Sequence, residues 1–384
     1  MPPAETDVPR SEARPSPPKA LICGTFAYDT IMVYSGRFRE HLRPEAAHVL
    51  DLSFPYEQIR TDFGGCGANV SYHLRQLGMS ALPLATVGTD FEPYALWLDQ
   101  QLIPRRYIQV IEDEITARGY IMTDLEDSQL TAFHSGASAW AHNNSVAEAL
   151  AAEAEAASVD AGSPSGLGSP GGSAEHRVEV GNYGGFAEYE EPEIARILPD
   201  PHKGVSGEHG PATVGMITPD AAQAMVAHAA DFATFEVPFL FDPGQQIGSL
   251  TPGELTQVIE QSTWLALNEY EAELVSSRTG LTRMEVAAKV EALIVTRGRQ
   301  GSTIWARDKE LTIEAVASEA VVDPTGAGDA YRAGLLFGIM RGYDWSLTGR
   351  IASLMGAMAT EHFGAQGLYV DPEAFQQRFD AAFL

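Results

Sequence analysis

Val-Val-Asp-Pro-Thr-Gly-Ala-Gly-Asp-Ala-Tyr-Arg-Ala-Gly-Leu-Leu-Phe, residues 321–337, starts on two β-branched residues, turns through Asp-Pro-Thr and opens a helix on Gly326-Ala327-Gly328. Small residues at a helix start let a ligand approach the backbone closely. The first N–H groups of a helix lack intrahelical acceptors and the helix dipole adds positive charge there, so this mouth is an anion site. It can stabilise charge on a migrating phosphoryl group without a lysine. Asp329 stands in the first turn beside it, where a carboxylate can take the proton of an attacking hydroxyl. A lone first-turn Asp more often only complements the dipole. Thr-Gly-Ala-Gly-Asp as a block is far more specific and points to phosphoryl transfer.

On both sides of this stretch short apolar runs alternate with amphipathic ones. The spacing predicts strands at 19–24, 30–34, 49–54, 82–87, 214–217, 237–241, 264–267 and 293–296, and a hairpin through 303–305 and 311–314. Helices are predicted at 68–77, 92–101, 220–230, 252–261 and 269–279, with three more opening near 326, 345 and 372. Strand signals at 107–111, 117–123 and 129–133 follow one another without helices and read as a meander set apart from the main alternation. The pattern implies an α/β fold, a mainly parallel sheet with helices on both faces, whose ligands bind beyond the carboxyl ends of the strands.

The composition changes from about 150 to 211. An Ala/Glu-rich run at 150–156 leads into Gly, Ser and Pro with one Leu over 162–172, too polar and flexible to pack a core. We expect a long surface insertion here, with 177–198 as its candidate docking element. Residues 1–18 are rich in Pro, Glu and Arg, lack an apolar core, and read as a disordered tail rather than a signal peptide. No apolar run reaches the ~20 residues of a membrane helix, and the expected location is cytoplasmic.

The 25 Lys and Arg against 52 Asp and Glu give a formal net charge of −27. Such a surface argues against nucleic acid and anionic membranes as partners. It also repels free ATP at long range, so an ATP site here needs local positive potential and Mg²⁺. Cys23 and Cys66 give no disulfide framework and no Cys-based metal site, and each reads as a small buried residue. Lys19, Lys203, Lys289 and Lys309 are the only lysines, and none follows a glycine loop as a Walker-A motif requires. The Gly166-x-Gly168-x-x-Gly171 match lies in the low-complexity run, with no strand before it and no helix after it, and carries no weight.

Three further motifs stand in order along the chain: Gly64-Gly65, Asn268-Glu-Tyr-Glu271 and Thr296-Arg-Gly298-Arg-Gln-Gly301. With the block ending at Asp329 they resemble the ribokinase-like (PfkB) family of sugar and nucleoside kinases, from about residue 21 onward outside the insertion. The resemblance implies a three-layer sandwich over 19–384, with a mainly parallel central sheet and a small β-sheet lid from about 28–63 and 105–135. It implies Asp329 as catalytic base and Gly326, Ala327 and Gly328 as the anion hole. Gly64-Gly65 resembles the hinge of the lid, where paired glycines permit the backbone change of closure. Asn268 and Glu271 resemble the motif that organises Mg²⁺ and phosphate, although they equally read as a helix N-cap with a capping-box Glu. Thr296, Gly298, Gly301 and Thr325 fall on the nucleotide side.

Residues 36–44, 52–54, 116–118, 242–246 and 329–334 are also similar to the bacterial-type adenosine kinases. That likeness implies Asp29, Gly65 and Asn69 around the ribose, Phe133 stacked on the purine, and Gln245 and Gln246 lining the pocket. The plainer readings are a turn residue, a helix start, a lid-core Phe and surface glutamines. Gly119 stands where that subgroup tends to place a second aromatic, which leaves one side of a purine clamp absent or supplied by Tyr120. The expected reaction is transfer of the ATP γ-phosphate to the 5′-hydroxyl of adenosine, with ATP and Mg²⁺ as cofactors and a monovalent cation (K⁺) admitted. The alternatives are the same chemistry on ribose, fructose or a similar sugar, and a non-catalytic ligand-binding relative. The last would show losses at Asp329, Gly326 or Gly328, and none is seen. The expected partners are the acceptor and ATP, with a homodimer formed through the lid.

Overall fold

The computed structural model describes residues 18–41, 53–124, 129–162, 193–198, 213–307 and 309–384. Its larger sheet contains β1 (Lys19–Cys23), β4 (Ser80–Val87), β5 (Tyr107–Val110), β8 (Thr213–Ile217), β9 (Phe239–Phe241), β10 (Trp264–Asn268), β11 (Ala292–Thr296), β12 (Ser302–Ala306) and β13 (Lys309–Ile313). They lie in the order β13-β12-β11-β10-β9-β8-β1-β4-β5. The pairings from β5 to β11 are parallel, and β12 and β13 close one edge as an antiparallel hairpin. Central strands such as β1 are buried along nearly their whole length, as expected for a sheet covered on both faces.

The helices are α1 (Cys66–Gln76), α2 (Glu92–Gln100), α3 (Val146–Gly162), α4 (Glu193–Ile197), α5 (Ala222–Thr234), α6 (Pro252–Gln261), α7 (Glu269–Thr279), α8 (Arg283–Ala287), α9 (Ala327–Met340), α10 (Trp345–Ala359) and α11 (Pro372–Phe383). On one face Val70, Leu74, Leu336, Phe337, Leu354 and Phe375 from α1, α9, α10 and α11 pack against the sheet. On the other Met225, Phe232, Val258, Ile259, Val275 and Val286 from α5 to α8 do so. The fold is therefore an α/β sandwich of three layers. α9 and α10 approach closely because Gly334 faces Ala352, and a Cβ on Gly334 would lie 2.6 Å from the Ala352 Cα.

A second, four-stranded sheet stands apart: β3 (Tyr56–Gly64), β2 (Ala27–Tyr34), β6 (Ala117–Thr123) and β7 (Gln129–His134), in that order. One sequence expectation is corrected here, and one strand went unpredicted. Of the strand expected at 49–54, residues 49–52 lie outside the described residues and Ser53 and Phe54 are irregular; the next described strand begins at Tyr56. β3 reads Tyr-Glu-Gln-Ile-Arg-Thr-Asp-Phe-Gly, and its polar alternation on an edge strand hides it from an apolar-run criterion. The run at 107–110 does not join the small sheet. It pairs parallel with β4 at the edge of the large sheet, because the chain reaches it through the α2 crossover.

The insertion expected from about 150 opens with ordered structure. α3 carries the Ala/Glu-rich run, buries Val146 and Ala149, and its Glu153 accepts from Lys19 Nζ and the Tyr107 hydroxyl at 2.7 Å each and pairs with Arg106. Ile194 and Leu198, in and just beyond α4, are buried against the core, so part of the 177–198 docking element does dock. Residues 163–192 and 199–212, like the tail at 1–17, lie outside the described residues. Among the described residues no helix is long and apolar enough to cross a membrane.

Candidate active site

The mouth of α9 forms as its sequence demands. Gly326 caps the helix at φ 78°, and a Cβ there would lie 2.6 Å from the Ala365 Cβ, so only glycine fits. Asp323 fixes the approach. Its Oδ1 accepts from the Thr325 N–H and its Oδ2 from the Gly364 N–H, both at 3.0 Å, and Arg60 of β3 ion-pairs with it. Burial opposes its charge, but the Thr325 and Gly364 hydrogen bonds and the Arg60 guanidinium hold the Asp323 carboxyl below its ordinary value. Gly328 is exposed, so the open end of the helix faces solvent rather than packed protein.

Asp329 sits half-buried on the first turn, and its Oδ2 accepts from Asn69 Nδ2 of α1 at 2.8 Å. Burial pushes its carboxyl up to about 7 and Asp242 adds to this, while Asn69, Arg332 and the hydrogen-bonded Cys66 thiol pull the other way. A carboxyl balanced near neutrality suits a general base. One turn further along α9, the buried Arg332 donates to Asp242 Oδ2 at 2.9 Å and stands 3.8 Å from Glu271 Oε2. Asp329 thus backs onto a buried triad drawn from the end of β9, from α7 and from α9.

Asn268 and Glu271 meet at the start of α7 as a reciprocal capping box. Glu271 N–H donates to Asn268 Oδ1 at 2.8 Å, and Asn268 N–H donates to Glu271 Oε2 at 2.7 Å. Among the described residues no three His, Cys, Asp or Glu side chains gather as a metal cluster. Burial and Asp242 raise the Glu271 carboxyl above its ordinary value, against the pull of Arg332 and the Asn268 backbone. Thr296 ends β11 with its hydroxyl 3.4 Å from the Leu267 carbonyl, and Gly298 and Gly301 shape the turn that follows. Gln245 and Gln246 follow β9; Gln245 is exposed and Gln246 accepts from the Ser249 hydroxyl at 2.7 Å. Strand order therefore places these residues along the carboxyl edge of the large sheet, while Asn69 donates directly to Asp329.

The small sheet contributes a row across its four strands: Asp62, Asp29, Gly119 and Phe133 are register partners on one face. The Asp29 carboxyl lies against Gly64 and Gly119; a Cβ would come within 1.9 Å of Oδ2 at the first and 2.5 Å of Oδ1 at the second. Burial, then the Asp62 charge, pushes Asp29 up to about 6. Phe133 is 43% exposed on this face. Tyr120 does not supply the second aromatic, because it follows Gly119 and successive strand residues point to opposite faces. Gly65 holds φ 92°, where a Cβ would lie 2.5 Å from the Thr25 carbonyl oxygen.

Arg60, Asp62, Cys66, Asp242, Arg332 and Gln366 belong to this region although sequence reasoning gave none of them a role. Arg332 had a signal, a charge inside an otherwise apolar helix run, and Asp242 stood at a strand end. Cys66 is only partly buried and hydrogen-bonds Asp329, which corrects its reading as packing alone. Gln366 had no signal.

The pattern of the pfkB family carbohydrate kinases matches residues 29–171 and 215–371 of this chain. The chain belongs to that family. It is a kinase, and ATP use is inherent to the family. The chain is similar to the nucleoside kinase of Burkholderia thailandensis, solved in complex with inosine: 35% identity, TM-score 0.73, covering 95% of this chain and 98% of that one. It is 27% identical to a nucleoside kinase of Methanocaldococcus jannaschii over 317 residues, 82% of this chain and 84% of the relative. A ribokinase of Bacillus subtilis is 35% identical over 112 residues, 29% of this chain and 37% of the relative.

Proposed function

We propose that this kinase transfers the γ-phosphoryl group of ATP to the 5′-hydroxyl of a purine nucleoside, adenosine in the first instance, with Asp329 as the base. One observation carries the reading: Asp329, held near neutrality, stands beside the open helix end at Gly326–Gly328, within reach of a sheet that presents Asp29 and Phe133 in one row. The acceptor hydroxyl gives its proton to Asp329. The N–H groups of the α9 mouth receive the charge that builds on the transferring group. Asp29 holds the ribose hydroxyls, and the small sheet acts as a lid that keeps water from competing for the phosphoryl group.

Phe133 supports a nucleoside over a free sugar. It lies two strands from Asp29, about 10 Å at the usual strand spacing, which leaves room for a base attached to the ribose. A free ribose or fructose would leave that aromatic without a partner. The inosine complex of the Burkholderia relative supports the nucleoside class and places inosine beside adenosine as an acceptor to test. Mg²⁺ fits the site as a substrate-borne ion, since it binds through one or two carboxylates plus phosphates rather than in a protein cage. Asn268 and Glu271 would hold it, and it would neutralise phosphate charge when bound. K⁺ remains an arm of the assay, and cytoplasmic ATP is the expected donor pool.

Coupled ATP turnover with adenosine, inosine, guanosine, ribose and fructose, with and without KCl, tests the reading. A purine nucleoside should be the best acceptor. Turnover on a free sugar with none on any nucleoside sinks the substrate class. Asp329→Asn should lower kcat by at least about 100-fold while nucleoside binding persists.

A further inference from the structure

A hydrogen-bond chain, buried at its centre, runs from the indole of Trp97 to Asp329. Trp97 Nε1–H donates to Gln366 Oε1 at 2.8 Å. Gln366 Nε2 donates to Asn69 Oδ1 at 3.0 Å and to the Tyr94 hydroxyl at 2.6 Å. Asn69 Nδ2 donates to Asp329 Oδ2 at 2.8 Å, and the Tyr94 hydroxyl donates to the Gly64 carbonyl at 2.9 Å. Gln366, Asn69 and Tyr94 are all buried, so none of these groups can exchange its partner for water without opening the core.

The direction of this chain is forced. An indole N–H can only donate and a backbone carbonyl can only accept. With Trp97 at one end, Gln366 must present its oxygen there and its amino group to Asn69 and Tyr94. The Gly64 carbonyl makes the Tyr94 hydroxyl a donor, so that hydroxyl must accept from Gln366, which demands the same orientation. The Asn69 oxygen is then occupied and only its amino group can face Asp329. Reversing Gln366 would set two N–H groups against each other at Trp97 and leave the Asn69 oxygen unpaired.

We infer that Gln366 is a positioning residue for the base. Held by Trp97, it locks the Asn69 amide so that Asp329 Oδ2 is always supplied with a hydrogen bond. Its second N–H ties the same unit to Gly64, in the double glycine at the root of the small sheet, so the base and the hinge share one anchor. The inference rests on the assignment of Asp329 as base. The other groups facing Asp329 are Cys66 from α1, Asp242 beyond β9 and Arg332 from α9, with Asp29 of β2 acting on Cys66. None of them depends on Gln366 for its orientation.

The test is the pH profile of kcat/KM for the best nucleoside in Gln366→Leu and Trp97→Phe enzymes. Trp97→Phe removes the donor and keeps a ring stacked near Phe63 and Tyr72, so it covers the case in which Gln366→Leu fails to fold. Without the lock, Asn69 can turn its oxygen toward Asp329, and losing a donor to a carboxylate raises its pKa. The acidic limb should move to higher pH in both variants, with kcat reduced roughly tenfold and KM for ATP little changed. An acidic limb and kcat that match the parent in a folded Trp97→Phe or Gln366→Leu enzyme overturn the inference. Substantial turnover by Asp329→Asn overturns the base assignment instead, so the two failures are distinct.

Discussion

At the scale of single residues, the charges behind Asp329 hold together because each is paired. Arg332 stands between Asp242 and Glu271 in a site nearly closed to water. Replacing it by Met leaves two acidic groups buried without their cation. Breaking such a group from one side costs about 3–5 kcal/mol, and chemical denaturation of Arg332→Met should show a loss of that order. The same change removes a charge that lowers the Asp329 pKa, so any surviving activity should need higher pH than the parent. A variant of parental stability would show that Asp242 and Glu271 are solvated or protonated without the guanidinium.

At the scale of elements, the small sheet works by row. Asp62, Asp29, Gly119 and Phe133 face one way because directly paired residues share a face, and the absent side chain at Gly119 is what leaves room for the Asp29 carboxyl. Only the far end of the Asp29 side chain is in the way of a Cβ at 119, so Gly119→Ala should move that carboxyl without disturbing the sheet. We expect nucleoside KM to rise about tenfold, roughly 1.4 kcal/mol of acceptor binding, while melting temperature changes little. A variant with unaltered KM would remove Asp29 from the acceptor site. The opposite face carries a second row, Ile59, Met32, Met122 and Leu130, with Ile59 59% and Leu130 39% exposed.

At the scale of the whole molecule, that apolar row meets the charge of −27. We propose that it pairs with the same face of a second copy, through the lid. Apolar contact would draw the copies together, and like charge would push them apart across a Debye length that shrinks from ~30 Å at 0.01 M salt to ~8 Å at 0.15 M. Light scattering should therefore find a dimer that tightens as NaCl rises, and Ile59→Lys should shift it toward monomer. A monomeric mass at every salt concentration would refute the pairing. Placement of the small sheet also depends on long-range ties: Arg60 of β3 reaches Asp323 at the α9 mouth, and Tyr94 of α2 reaches Gly64.

The β and α alternation, the large parallel sheet, the closing hairpin and the glycine-led mouth of α9 with Asp329 on its first turn could all be read from the chain itself. Each is set by apolar period, turn chemistry or a cap, interactions that span a few neighbouring residues. The same local rules missed β3, whose edge-strand residues are polar, and misplaced β5, whose sheet is chosen by the crossover before it. Only the folded structure joined Asn69 to Asp329 across 260 positions, Gln366 to Asn69 across 297, and Arg60 to Asp323 across 263. Contacts at that separation arise where packed layers bring distant strand and helix ends to one edge, and no periodicity in the sequence encodes which side chains will meet there.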